Sequence, residues 1–230
     1  MNFRLAWVSI LLLGACNLGN LGQEAIESGR ITAPNNAVYG FKDNFLYSNG
    51  DLTSVSGGNW TNAASVGTEL YVSANIVSIS TSSTCATTYP CYVVWTGGGG
   101  PAPANQSTQV TFTGISSDFL GPAVRTSTAS QTGYAALCTT TYGSAQCAIY
   151  KNANSTITAL TAEGSTISTT STVKLSVSGA NPASLTLYVN GASYLTYSDS
   201  TSPIASGSWG LADVNSNGDT HISQAVGTSP

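Results

Sequence analysis

From Thr172 to Tyr197 the chain spells out a β-hairpin. Every second residue of Thr172-Val173-Lys174-Leu175-Ser176-Val177-Ser178 is apolar, and Ser184-Leu185-Thr186-Leu187-Tyr188-Val189 repeats the pattern. Asn190-Gly191 follows, then Ala192-Ser193-Tyr194-Leu195-Thr196-Tyr197. A two-residue period sends alternate side chains to opposite faces of a pleated strand. Asn-Gly between two such runs supplies the positive φ angles of a tight hairpin turn. Further strands are expected over 69–79, 91–96, 108–115, 133–139, 146–151, 155–163 and 218–226, and no segment carries a sustained helical spacing of apolar residues. Many short strands in one domain-sized chain predict an all-β fold, a two-sheet antiparallel sandwich or jelly roll. The composition agrees. Ser (33) and Thr (30) are abundant among the 230 residues, whereas the charged set is only 6 basic and 10 acidic side chains. So few cations in a chain of net charge −4 exclude a nucleic-acid partner, which needs a basic face to neutralise phosphates.

The N-terminus reads as an address. Arg4 precedes an almost wholly apolar run from Leu5 to Ala15, too short to span a bilayer. Leu13-Gly14-Ala15-Cys16 resembles a bacterial lipobox. That resemblance implies cleavage before Cys16, acylation of its sulfur, and a lipid bilayer as partner. Asn17 after the cysteine then favours the outer membrane. The expected organisation is a signal peptide over 1–15, a lipid-anchored flexible tether over 16–40 and a β-sandwich over 41–230. Export permits disulfides. Four cysteines remain: Cys85, Cys91, Cys138 and Cys147. Of three possible connectivities, the local one is favoured, because Cys85–Cys91 and Cys138–Cys147 each enclose a turn-rich stretch.

Several short stretches, taken in order, carry a family resemblance. They are Asp43-Asn44-Phe45, Asn49-Gly50-Asp51-Leu52, Asn59-Trp60-Thr61, Gly133-Tyr134-Ala135, Val173 to Gly179, Leu185 to Gly191, Asp199-Ser200, Gly207-Ser208-Trp209-Gly210-Leu211 and Gly218-Asp219-Thr220. Together they resemble domains of the concanavalin A-like lectin/glucanase superfamily, the laminin-G-like jelly rolls, over residues 41–226. The resemblance implies a concanavalin A-like jelly roll whose first and last strands meet, and a glycan or envelope polymer as ligand. Its glucanases carry an E-x-D-x-E strand. Here no strand presents a carboxylate pair, His221 is the sole histidine, and no G-x-S-x-G elbow occurs. No enzyme activity is expected.

Two groups of residues are candidate ligand sites. Sugars stack their C–H faces on aromatic rings, so Trp95 beside the Gly97–Gly100 run, and Tyr188 and Tyr194 around the Asn190-Gly191 turn, are candidate glycan contacts; Trp60 and Trp209 are assigned to the core. Asp213, Asn215, Asn217 and Asp219 alternate through a Gly-containing stretch that resembles the first half of an EF-hand calcium loop. It lacks the twelfth-position carboxylate, Gln224 standing there. A loose calcium site is the cofactor reading, and a plain Asn/Gly/Asp turn is its rival. The functional expectation is a non-catalytic surface lipoprotein holding glycan or envelope polymer. A structural or adhesion lipoprotein and a divergent glycoside hydrolase stand as alternatives.

Overall fold

A computed structural model describes residues 40–63, 70–80, 91–97, 102–153, 156–214 and 219–229. The expected leader, Cys16 and all but the last residue of the tether lie outside them, as do Cys85, Asn215 and Asn217. Sixteen strands are described: β1 (Gly40–Asp43), β2 (Gly50–Asp51), β3 (Trp60–Asn62), β4 (Leu70–Ser73), β5 (Ile76–Ile79), β6 (Cys91–Trp95), β7 (Gln106–Gly114), β8 (Phe119–Thr126), β9 (Gly133–Thr139), β10 (Gln146–Ala153), β11 (Thr156–Ala159), β12 (Thr172–Ser178), β13 (Ala183–Val189), β14 (Ala192–Asp199), β15 (Ser208–Val214) and β16 (His221–Thr228). A single turn of helix, α1 (Leu52–Val55), follows β2.

They form two antiparallel sheets. One runs β14-β13-β12-β7-β16-β5-β4-β2 with β1 also on β16; the other runs β11-β10-β9-β8-β15-β6-β3. The two pack face to face as a jelly-roll sandwich. The first and last strands meet, Gly40 opposite Thr228 and Asp43 opposite Ala225. The core between the sheets takes Val173, Leu175, Leu185 and Leu187 from the nine-stranded sheet and Leu120, Val124, Ile149 and Leu211 from the seven-stranded one. At the β1–β3 side it ends in an aromatic knot. Phe41 stacks on Trp95 with centroids 4.3 Å apart and meets Trp60 edge-on at 5.5 Å.

The sheets differ in what their outer faces meet. In the nine-stranded sheet, burial alternates along β12 and β13, the pattern its sequence shows. In the seven-stranded sheet, every residue of β6 and β9 is buried. Tyr92, Val94, Ala123, Ala135, Leu137 and Ala212 form a second apolar cluster on its other face. Both faces being covered explains why these segments read as continuous apolar runs.

The expected strands omit β1, β2, β3, β8 and β15, and three places show why strands were missed or misjudged. The run 69–79 is a hairpin, with Ala74 and Asn75 both at positive φ (50° and 64°). Asn49 Oδ1 accepts the Ala74 N–H at 3.1 Å and helps hold that turn without a glycine. The central strand β8 was not expected, and it contains Gly121-Pro122, a pair unusual inside a strand. Its register with β9 passes over those two residues, so the missing proline N–H falls where pairing is interrupted. A side chain at Gly121 would come 1.9 Å from the Ala136 carbonyl oxygen, so only glycine fits there. Finally, Asp213 and Val214 close β15 and are not part of a loop. The expected Asn190-Gly191 turn is present, both residues at positive φ (50° and 83°). Cys138 and Cys147 face each other across β9 and β10, Cα atoms 4.1 Å apart, and are bonded.

Candidate functional site: a cavity at an open side of the sandwich

β14 is an outer strand of one sheet and β11 an outer strand of the other, with β10 beside it. Where these edges face each other, a cavity of about 280 Å³ remains. Its charged part is an ion pair, Lys151 Nζ to Asp199 Oδ2 at 2.7 Å. Tyr197, Leu160 and Ala153 give it apolar wall, and Thr156, Thr158 and Thr201 bring hydroxyl groups.

The local sequence explains how Asp199 is placed. It ends β14, and its Oδ1 accepts the N–H of Thr201 at 3.0 Å, the turn that aspartate favours two residues back from a bend. Its Oδ2 accepts the Tyr134 hydroxyl at 2.7 Å beside the Lys151 ammonium. Lys151 also donates to the carbonyls of Thr201 and Ser202, both at 2.8 Å. The Tyr134 hydroxyl accepts the Ile204 N–H at 2.9 Å. Arg125, wholly buried, donates to the carbonyls of Ile204, Ala104 and Gly179. The segment after β14 is thus fastened by side chains from β8, β9 and β10, which holds the cavity rim in place.

The electrostatics follow from this wiring. Burial pushes the Asp199 carboxyl upward, but hydrogen bonds from Lys151, Tyr134 and Thr201 outweigh it and leave the group below its ordinary value. Burial raises the Tyr134 hydroxyl, and its bond to Asp199 adds to the rise. Burial lowers the Arg125 guanidinium, opposed by the neighbouring Tyr134. Asp199 is therefore ionised at neutral pH, and Tyr134 is a neutral donor.

A second aspartate fastens the opposite side of the sandwich. Asp43 Oδ1 accepts the Phe45 N–H at 2.7 Å, and its Oδ2 accepts the Tyr47 hydroxyl at 2.8 Å and the Trp60 indole N–H at 2.6 Å. A recess of about 70 Å³ lies there, beside Lys42, Asn44 and Leu46.

The expected site residues are distributed otherwise. Trp95, read as an exposed ring, is buried on Phe41; it lies on the core side of β6, not at the tip of the glycine run. Tyr188 stands half-buried on the outer face of the nine-stranded sheet, with the Lys174 ammonium 4.4 Å from its ring centre. Tyr194 is an extra residue at a bulge in β14. Its ring covers Gly164 and its hydroxyl donates to the Ser165 carbonyl, so it braces one sheet edge against the other. Of the calcium reading, Asp213 is fully buried in β15, in register with Cys91 and Leu120. Asp219 is tied by its main-chain N–H to Asp118 Oδ2 at 2.7 Å. Asp213 belongs to β15, whereas Asp219 precedes β16, so the two carboxylates are not neighbours in one loop. No cluster of three or more His, Cys, Asp or Glu side chains that could hold a metal occurs among the described residues. Cys91 is disulfide-bonded; Cys85, its expected partner, lies outside the described residues. Trp60 and Trp209 are core residues, as expected.

The sequence reading did not single out Lys151, Tyr197 or the threonines of β11. One signal was available: Asp199-Ser200-Thr201 is an aspartate-led turn at a strand end.

No protein-family model matches the chain, and no curated protein matches it. Solved structures do. LamA from Z. galactanivorans, in complex with laminaritriose and laminaritetraose, gives a TM-score of 0.52 at 9% identity, over 84% of this chain and 99% of that one. A mutant of the GH43 protein BlXynB from Bacillus licheniformis gives 0.53 at 10% identity, over 82% of this chain and 39% of that one. The carbohydrate-binding module CBM66 from Bacillus subtilis gives 0.45 at 14% identity, over 74% of this chain and 92% of that one. What the chain shares with LamA and BlXynB is the fold, the two-sheet jelly-roll β-sandwich.

Proposed function

We propose that the chain is a non-catalytic glycan-binding module on an exported, lipid-anchored protein, and that the cavity between β11 and β14 is its binding site. The observation that carries this is the cavity lining. A half-buried tyrosine and a leucine offer apolar surface to sugar C–H groups, and three threonine hydroxyls and a fixed carboxylate offer hydrogen bonds. Small-molecule sites combine such a mostly apolar wall with a few placed polar groups. The rim is pinned by Arg125, Tyr134 and Lys151, so little ordering is needed on binding. The oligosaccharide complex of LamA, on the same fold, supports a saccharide as the ligand class.

The non-catalytic part rests on chemistry. Two carboxyl groups flank the scissile bond in most glycoside hydrolases. This cavity is lined by one, Asp199, and its Oδ2 is engaged by Lys151 and Tyr134. Anchoring at the outer membrane or cell surface through Cys16 rests on the Leu13–Cys16 pattern and on Asn17 after it. Fatty-acid labelling tests it: Cys16→Ser should abolish the label and release the protein from membranes.

A glycan array probed with the purified full-length protein tests the binding. Retention of a defined set of glycans, lost in Tyr197→Ala at a temperature where that variant remains folded, is the expected result. Retention of none would overturn the reading, and undiminished retention by Tyr197→Ala would move the site elsewhere.

A further inference from the structure

Counting hydrogen bonds narrows the ligand. An ammonium group has three N–H donors. Lys151 spends them on Asp199 Oδ2, Thr201 O and Ser202 O, so none is left for a ligand. A carboxylate has about four acceptor positions. Two on Asp199 Oδ2 are filled by Tyr134 and Lys151 and one on Oδ1 by the Thr201 N–H. One lone pair on Oδ1 remains, and Thr156, Thr158 and Tyr197 bring hydroxyls to the lining of the same cavity. Every one of those groups suits an uncharged hydroxyl partner. No spare cation meets an acid, and the remaining lone pair would repel one.

Size and shape narrow it further. Ligand pockets usually hold about 300–1,000 Å³, so a cavity of about 280 Å³ takes one sugar ring and not a row of them. It is also blind along the open side. Tyr194, bulged out of β14, reaches across to Ser165 and Gly164, and Gly164 is itself bonded to the Cys147 carbonyl of β10. That brace blocks a polymer from running through between the edges.

We propose that the cavity takes a single neutral sugar residue at the end of a glycan chain and rejects acidic sugars. This rests on the glycan-binding reading above. An unpaired carboxylate brought into the cavity would lose hydration with no compensating cation.

Calorimetric titration of the full-length protein tests it, with neutral monosaccharides, the matching uronates, and neutral oligosaccharides of two to five units. Binding of one neutral sugar is expected, with the matching uronate at least about tenfold weaker and oligosaccharides that end in that sugar within about twofold of one another. Thr158→Val, at an exposed position, should weaken binding about tenfold through one lost hydrogen bond while leaving the thermal midpoint unchanged. A uronate bound as tightly as the neutral sugar, or affinity that climbs with chain length, would overturn this proposal and leave glycan binding standing. Heat of binding from no saccharide at all would overturn both.

Discussion

The two open sides of this sandwich are fastened by the same device and end up with different properties. At each, an aspartate on the nine-stranded sheet accepts a main-chain N–H from two residues ahead on Oδ1 and a tyrosine hydroxyl on Oδ2. The third donor comes across from the seven-stranded sheet. For Asp43 it is the neutral indole of Trp60 on β3; for Asp199 it is the ammonium of Lys151 on β10. What surrounds each also differs. Phe41, Phe45, Trp60 and Trp95 fill the Asp43 side and leave about 70 Å³, whereas the short side chains of Ala153, Thr156 and Thr158 at the Asp199 side leave about 280 Å³. The same tie closes a core in one place and frames a cavity in the other. Packing volume, and not the tie, decides where a ligand can go.

The largest effect expected from breaking either tie is at the filled side. Asp43→Ala removes the acceptor for the Phe45 N–H, the Tyr47 hydroxyl and the Trp60 indole at once. A buried donor left unpaired costs about 1–3 kcal/mol. The Trp60 N–H is fully enclosed, while Tyr47 can turn toward water, so the sum should be about 4 kcal/mol. Urea unfolding of the variant measures it. A loss under about 1 kcal/mol would mean that water replaces the carboxylate and that the aromatic knot holds this side by itself.

At the cavity side Lys151→Met should cost about 3 kcal/mol, the lower part of the range for breaking a buried pair. Lys151 keeps 12% of its side-chain surface exposed, which argues for the lower figure. The effect should also depend on pH. Asp199 is held below the usual carboxylate value, so the folded state binds its proton less readily than the unfolded state. Its contribution is complete above the unfolded value of about 3.9 and drains away as pH falls through the folded value. Wild type and Lys151→Met should therefore converge in stability between pH 5 and pH 2 or so, as denaturant midpoints across that window would reveal. A gap that stays constant on acidification would show that Lys151 acts through its bonds to Thr201 and Ser202 and not through the carboxylate.

How much of this was legible in the sequence varied with burial. The strands of the nine-stranded sheet were plain, because one polar face imposes alternation on Thr172–Ser178 and Ser184–Val189. Asn190-Gly191 announced its turn by chemistry. β8 was hidden, because a central strand containing Gly-Pro is expected only where pairing lapses, and the lapse is visible only in three dimensions. Ala74-Asn75 carried no glycine, its turn being held in part by Asn49 from outside the hairpin. Asp213 looked like loop because Asn and Gly crowd the residues after it. The site was harder. Asp199 and Tyr134 lie in the family-like stretches, but their pairing joins β14 to β9 across 65 residues. The threonines of β11 carry no signal by themselves; they matter because two sheet edges happen to face each other with short side chains between them.

The smallest expected difference is between the two tyrosines. Tyr47→Phe and Tyr134→Phe each remove one hydrogen bond to a carboxylate, so at first sight they should cost the same. They differ in what they accept. Tyr134 accepts the Ile204 main-chain N–H at 2.9 Å, whereas Tyr47 accepts the Asn59 side-chain amide at 3.4 Å, near the limit for such a bond. Asn59 is half-exposed and can turn to water. Ile204 belongs to the segment that Arg125 and Lys151 also hold, so its N–H cannot turn away without breaking those bonds. Tyr134→Phe should then cost about 2 kcal/mol and Tyr47→Phe about 1 kcal/mol, within the usual range for a lost bond to a charged group and for a mostly compensated one. Tyr134→Phe should also speed hydrogen exchange at Ile204, with no such change at Phe45 in Tyr47→Phe. Equal costs and an unchanged Ile204 would mean that Arg125 alone holds the rim, and the cavity would owe its shape to the buried guanidinium and not to the Asp199 tie.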